Sequence, residues 1–313
     1  MHNKGDNKMM RPIISVQVEL VQVLLYLADR QERVIQHINN KRYCEAISAY
    51  FHSFKNHRAV LLTRQLIEQC NFIHIRPLQA ILSLEDIAAK KEHELYEWAI
   101  AVKEFIADTD FHTFCRSQEI YYNWILDNLK QCDFDVWIAY IEQYFRQKPE
   151  EFKLIICPIA GNYGFNMGAT AYTVRCMPYY DEEQNPSWTF DFFAKGVAHE
   201  YAHCFVNPAV EAHKELLGEC EAFFKSHTNM FNAYNVDYAV MNEYWVRAFT
   251  IRFMEENQQL FPEFDIEEEY RRQKESFLYI ERFVELLKEF EQKEMRFEEF
   301  YLQVMKVDDR MTW

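Results

Sequence analysis

Glycine is scarce in this chain: 6 of 313 residues, beside 8 prolines, where an ordinary chain carries about 7% glycine. Gly-built turns and long sheets are therefore few, and a mostly helical fold follows. Basic residues are also in deficit, 34 Lys+Arg against 49 Asp+Glu, a balance of 34 − 49 = −15. Such a chain repels phosphate backbones and anionic lipid, which argues against nucleic acid and membrane surfaces as partners. No stretch approaches the ~18 uncharged residues of a membrane span. The first residues, Met1 to Arg11, are polar and contain no continuous apolar run of a secretory signal, so a cytoplasmic protein is the expectation. The eight cysteines contain no CxxC pair and no tight cluster. That argues against a Cys-ligated zinc module or a disulfide scaffold and leaves reduced, buried thiols.

What the chain has in quantity is apolar material, 49% of residues, and it is arranged at helical spacing. Val18, Val21, Leu24 and Leu25, then Val60, Leu61 and Ile67, then Ile81, Leu84 and Ile87 recur at helical spacing, giving a helical N-terminal region over 1–150. Phe134, Trp137, Ile138, Ile141 and Phe145 complete its last helix, which Pro149 closes. The pattern then changes. Phe152–Cys157 and Tyr172–Met177 are short apolar runs rich in β-branched and aromatic residues and read as strands of a small sheet within 152–177. Gly161, Gly164 and Gly168 lie between them and read as turns.

Helix resumes in the C-terminal half, 151–313 being one region of mixed character. Residues 189–206 form a helix stopped by Asn207-Pro208. A second runs from Ala209 to about Ser226, a third over 236–254, a long fourth from Ile266 to about Glu294, and a short last one from Phe297 to Val307. The fold class is mainly α, with a small β-sheet ahead of the helix that carries the chemistry.

That helix contains His199-Glu200-Tyr201-Ala202-His203, the pattern HExxH. On a helix, residues i and i+4 project from one face a turn apart, so both imidazoles can reach one metal ion, with Glu200 beside them. Apart from the motif, residues 189–206 carry only Asp191 and Lys195 as charges, so three ionisable groups sit on a helix that reads as buried. Gly196, one turn ahead of His199, costs ~1 kcal/mol in a helix interior relative to alanine, which points to something packed closely against it.

A hydrolytic zinc site needs a third protein ligand and an open position for water. The metzincin extension would place glycine at position 206 and histidine at 209, where this chain has Val206 and Ala209. Downstream carboxylates remain. Glu211, Glu215, Glu219 and Glu221 read as solvated surface charges. Glu243 shares its helical face with Val236, Ala239, Val240, Val246, Arg247 and Thr250, so it points inward, where a carboxylate must be paired or bound. It either pairs with Arg247 at i+4 or completes a metal site, and the HExxH in the same chain favours the metal.

A helix with HExxH followed by one with Asn242-Glu243 resembles the gluzincin metallopeptidases, in which a Glu on a later helix is the third zinc ligand. The run His199 to Pro208 is similar to the HExxHxFVNP signature of a little-characterised bacterial family of gluzincin-like domains. Glu243, Arg247-Ala248 and the N-terminal Val18-Glu19-Leu20 and Leu25-Tyr26-Leu27 resemble that family as well. The resemblance implies one Zn²⁺ per chain held by His199, His203 and Glu243, with Glu200 as the general base in hydrolysis of a peptide or protein substrate. It also implies a donor for the developing oxyanion. Tyr234, Tyr238, Tyr244 and Arg247 are the candidates, and Tyr238 and Arg247 are carried forward. The strand from Tyr172 would be the edge to which an extended substrate adds. The alternative from another class is a non-catalytic helical interaction protein whose HExxH site is structural or vestigial. Against it stands the intact Glu200, which contributes nothing to holding a metal.

Overall fold

The computed structural model describes residues 10–28, 40–69, 72, 74–159, 161–176, 189–217 and 237–306. The N-terminal helices are α1 (Val16–Ala28), α2 (Lys41–Tyr50), α3 (Arg58–Glu68), α4 (Arg76–Leu82), α5 (Leu84–Ala88), α6 (Tyr96–Asp108), α7 (Phe111–Ser117) and α8 (Glu119–Asn128). They are followed by α9 (Phe134–Phe145), then β1 (Glu151–Cys157), β2 (Tyr163–Met167) and β3 (Thr170–Cys176). The C-terminal helices are α10 (Phe190–Ala212), α11 (Asp237–Glu256), α12 (Ile266–Lys274), α13 (Ile280–Glu291) and α14 (Phe297–Lys306). The protein is thus mainly α with a small sheet. Among the described residues no helix is long and apolar enough to cross a membrane, and the six described cysteines are free thiols.

Local chemistry sets the ends of the elements near the site. Asp133 caps α9 by accepting from the Val136 N–H, and Thr189 caps α10 by accepting from the Phe192 N–H, each satisfying a helix-terminal donor that has no partner within the helix. Chain reversal after α9 uses Arg146 at φ +52°, so the helix stops three residues short of Lys148-Pro149.

The three strands lie in the order β1-β3-β2. β1 runs parallel to β3, from Glu151 opposite Thr170 to Cys157 opposite Cys176. β2 runs antiparallel to β3, from Tyr163 opposite Val174 to Met167 opposite Thr170. The glycines expected to be turns divide between two uses. Gly168 opens the two-residue β2–β3 turn at φ +59°, a conformation that favours glycine there, whereas Gly164 lies inside β2. On the far side, Ile13 donates to the Leu154 carbonyl and accepts from the Ile156 N–H, adding backbone pairing to the outer edge of β1. The strand beginning at Tyr172 is therefore the centre of the sheet and has no free edge. Among the described residues no strand pairs with the outer edge of β2.

Alternate residues of the sheet face opposite ways, and both faces are covered. Ile155, Cys157, Phe165, Tyr172 and Val174 pack into a core with α1, α3 and α6, including Leu24, Val60, Trp98 and Phe105. Leu154, Ile156 and Ala171 pack into a second core with α9, α10, α11 and α13, including Trp137, Phe145, Tyr201, Trp245 and Phe290. Burial on two faces is why β1 and β3 read as near-continuous apolar runs.

Two helices depart from the sequence expectation. Asn207-Pro208 does not stop α10, which continues through Pro208 to Ala212. Proline lacks the N–H that would bond the carbonyl four residues back, here that of Cys204. Asn166 of β2 donates its side-chain Nδ2 to that carbonyl at 2.7 Å, so the freed acceptor is satisfied and the helix persists. The long helix from Ile266 is two helices. The break after Lys274 turns Phe277 into the core, edge-on to Tyr244 at 5.1 Å, and lets α12 and α13 both pack on α11. The expected helix end near Ser226 lies outside the described residues.

Gly164 permits close approach of β2 to α10. A Cβ there would lie 1.5 Å from the backbone carbonyl oxygen of Glu200. Gly164→Ala should therefore destabilise the fold by about 3 kcal/mol or more, measured by urea denaturation, the upper part of the range for overpacked sites. A change below 1 kcal/mol would show that the sheet and helix can separate freely.

In the N-terminal core, Glu19 is buried beneath Tyr43 and Tyr122, whose hydroxyls both donate to its Oε2, that of Tyr122 at 3.2 Å. Burial pushes its carboxyl up to about 7 from 4.5, against those hydrogen bonds. An unfolded chain releases this proton near pH 4.5 while the folded one keeps it to about pH 7. Stability is accordingly present below pH 4.5 and is lost across that window by about 3 kcal/mol. Glu19→Gln should remove this slope, so that its stability relative to the parent rises by about that amount between pH 4.5 and 7. A pH-independent difference between the two proteins would refute the shift.

Candidate metal centre

α10 lies between the sheet and α11, and the HExxH motif occupies its middle. His199 and His203, four residues apart, stand one above the other with ring centroids 5.1 Å apart and planes at 82°. α11 supplies Glu243 across the helix junction. Its Oε2 is 3.8 Å from His199 Nε2, and its Oε1 is 3.5 Å from His203 Nε2. One donor atom from each of the three residues can be chosen so that all lie within 4.8 Å of one another. Tetrahedral coordination with bonds of about 2.1 Å separates ligand atoms by about 3.4 Å, so the three groups fit one ion with small adjustments. The structure thus brings His199, His203 and Glu243 together, the only such three-residue group among the described residues.

Both imidazoles are oriented through their other nitrogen. His203 Nδ1 lies 2.9 Å from Asn207 Oδ1. His199 Nδ1 lies 3.3 Å from Thr250 Oγ1, whose own hydrogen is donated to the Val246 carbonyl. The hydroxyl therefore accepts from His199. With Nδ1 of each ring engaged in this way, both Nε2 atoms face Glu243, the orientation in which an ion could replace a proton between them. Asn207 and Thr250 sit one and two helical turns from a candidate ligand on its own face. Helical spacing alone could have found them, but the sequence reading took Asn207 for a helix stop.

The electrostatics follow burial and neighbours. Burial holds His199 well below the ordinary imidazole value, which keeps it neutral. Burial acts the same way on His203, but the Glu243 carboxylate outweighs it and raises the ring. Glu243 would be pushed up by burial, yet Arg247 and the histidines hold it well below the carboxylate range. Glu200, 7% exposed, is raised by burial against the pull of His203 and Arg175. A carboxyl with enhanced proton affinity beside two imidazoles suits proton transfer.

Arg247 does make the i+4 pair with Glu243, its Nε donating to Oε2 at 2.7 Å, and Glu243 still faces both histidines. The two readings of Glu243 are compatible in one geometry. Tyr238 lies five residues before Glu243, about 140° round the helix from it, half-buried against the C-terminal core. Tyr244 is buried in that core, stacked on Phe283 at 4.6 Å. Tyr234, Glu219 and Glu221 lie outside the described residues, whereas Glu211 and Glu215 are exposed on the far side of Pro208.

Arg175 is the charged residue that the sequence reading missed. It projects from the central strand β3, 5% exposed, and its guanidinium occupies the space that a Cβ on Gly196 would fill, 2.0 Å from Nη2. This accounts for the helix-interior glycine one turn before His199. A cation is thereby buried within electrostatic range of His199 and Glu200.

A protein-family profile described as a domain of unknown function, DUF4932, matches residues 76–307. The chain belongs to that family, and the match includes the sheet, the HExxH helix and the Glu243 helix. No curated protein and no solved structure matches the chain.

Asn207→Ala removes the partner of His203 Nδ1. It should weaken divalent-ion binding by about 10- to 100-fold, measured by competition with a chromophoric chelator. Unchanged affinity would show that the contact does not orient the ring.

Proposed function

We propose that this protein is a zinc-dependent hydrolase, a metallopeptidase of the gluzincin type, with one Zn²⁺ held by His199, His203 and Glu243. The convergence of both Nε2 atoms on the Glu243 carboxylate, with each Nδ1 anchored, carries the reading. Imidazole and carboxylate donors in this number suit zinc and leave a position open to water. Bound zinc supplies a Lewis acid that polarises a carbonyl and makes water acidic enough to attack near neutral pH.

The remaining chemistry belongs to the chain. Glu200 accepts the proton that water loses and later returns it to the leaving amine, and its buried carboxyl is tuned upward for the first of these tasks. Arg247 is engaged on Glu243, so its role here is to hold the third ligand rather than to bind the oxyanion. β2, whose outer edge is unpaired among the described residues, packs beside α10, with Gly164 against the Glu200 carbonyl. An extended peptide pairing with that edge through its main chain would lie along the motif helix, which supports a peptide as substrate.

Zinc-loaded protein should carry about one metal per chain and cleave members of a peptide library. Glu200→Gln should keep the zinc and lose at least about 100-fold in rate, the lower end of what general-base catalysis supplies. Glu243→Ala should instead lose zinc. Full activity in Glu200→Gln would remove Glu200 as the base, and a parent chain without zinc uptake would end the reading.

A further inference from the structure

Resting on that metal reading, we propose that Gln273 is a positioning residue for the third ligand. Its side-chain amide links the buried carboxylate of Glu269 to Arg247, and through Arg247 it fixes how the Glu243 carboxylate is turned toward the two histidines.

The links are continuous. Lys195, on α10 one turn before His199, donates to Glu269 Oε2 at 2.9 Å. Glu269 Oε1 accepts from Gln273 Nε2 at 2.7 Å. Gln273 Oε1 accepts from Arg247 Nη1 at 3.0 Å, and Arg247 Nε donates to Glu243 Oε2 at 2.7 Å. The path thus leaves the motif helix at Lys195, crosses α12, enters α11 at Arg247 and returns through Glu243 to His199 and His203. Glu269, Gln273 and Glu243 are each less than a tenth exposed, so water offers these groups little competition.

The residue type follows from the charges on either side. A carboxylate at one end needs a donor and a guanidinium at the other needs an acceptor. A neutral amide offers both, and its orientation is dictated by those neighbours. Arg247 is then held at three places: Nε on Glu243, Nη1 on Gln273, and the guanidinium face 4.5 Å from the centre of the Phe277 ring. A planar fork so fixed keeps hold of Oε2. Oε1 then faces His203 Nε2 at 3.5 Å and the held Oε2 lies 3.8 Å from His199 Nε2, so the guanidinium sets how the carboxylate is turned between the two rings. Glu269 itself is sustained by Lys195 and Arg272, which hold its carboxyl below the ordinary range against burial.

The test measures Zn²⁺ affinity of the full chain by chelator competition and the visible absorption of the Co²⁺-loaded protein, for the parent, Gln273→Met, Arg247→Met and the double variant. Methionine keeps the length and apolar stem of glutamine and removes both hydrogen bonds. The expected result is a loss of about 10- to 100-fold in Zn²⁺ affinity for Gln273→Met with an altered Co²⁺ spectrum. In the Arg247→Met background the same change should add little, because both variants interrupt one path. Parental affinity in Gln273→Met, or a fully additive loss in the double variant, overturns the proposal while leaving the metal reading intact. A parent that binds neither ion overturns both. Should circular dichroism show that Gln273→Met is unfolded, Arg247→Lys decides. It keeps the charge but cannot reach Glu243 and Gln273 together, so it must show a comparable loss, and parental affinity in it overturns the proposal.

Discussion

Glu243 carries its charge where water does not reach, and moving an unpaired carboxylate out of water costs more than the few kcal/mol by which a domain is stable. The molecule around it supplies the compensation. Arg247 pairs with one oxygen and two imidazoles face the carboxylate from α10. Those groups need fixing in turn, which Asn207, Thr250 and the amide of Gln273 do. Three helices are tied together by the requirement that one buried charge be met on every side. A site built this way is ordered before any ion arrives, which limits the entropy lost on binding.

The second constraint is distance between backbones. The motif helix lies so close to the sheet that Gly164 meets the Glu200 carbonyl and Gly196 meets the Arg175 guanidinium. In a chain with 6 glycines among 313 residues, these two stand where a side chain would separate sheet from helix. Asn166 contributes to the same contact by taking the Cys204 carbonyl that Pro208 leaves without its helical partner. The edge strand is thus bound to the helix by a glycine contact on one residue and a side-chain hydrogen bond two residues on. Any peptide paired to that edge would inherit its register relative to His199 and Glu200.

Much of this was legible in the residues. The period of Phe134, Trp137, Ile138, Ile141 and Phe145 marked α9, and the apolar runs marked β1 and β3. HExxH named His199, Glu200 and His203, and an inward-facing glutamate named Glu243. What failed did so for identifiable reasons. β2 contains Gly164 and only a weak alternation, so its pairing with β3, not its own propensity, makes it a strand. Pro208 reads as a stop because the rescue by Asn166 comes from 42 residues earlier in the chain. The long helix divides at a place that only the packing of Phe277 on Tyr244 explains. The strand at Tyr172 is central rather than an edge, and strand order is a property of the sheet, absent from any one segment.

By itself the sequence determined what depends on near neighbours: a helical fold, the two imidazoles on one helix face, the Glu200 carboxyl between them in sequence, and a carboxylate aimed inward on a later helix. The tertiary structure alone decided what depends on residues far apart. It set Glu243 against both histidines, put β3 rather than β2 at the centre of the sheet, placed Arg175 under Gly196 and ran the path from Lys195 through Gln273 to Arg247. The physical reason is range. Helical spacing is set by backbone geometry within a turn, whereas the partner of a buried charge is whichever group the folded chain brings within about 3 Å of it.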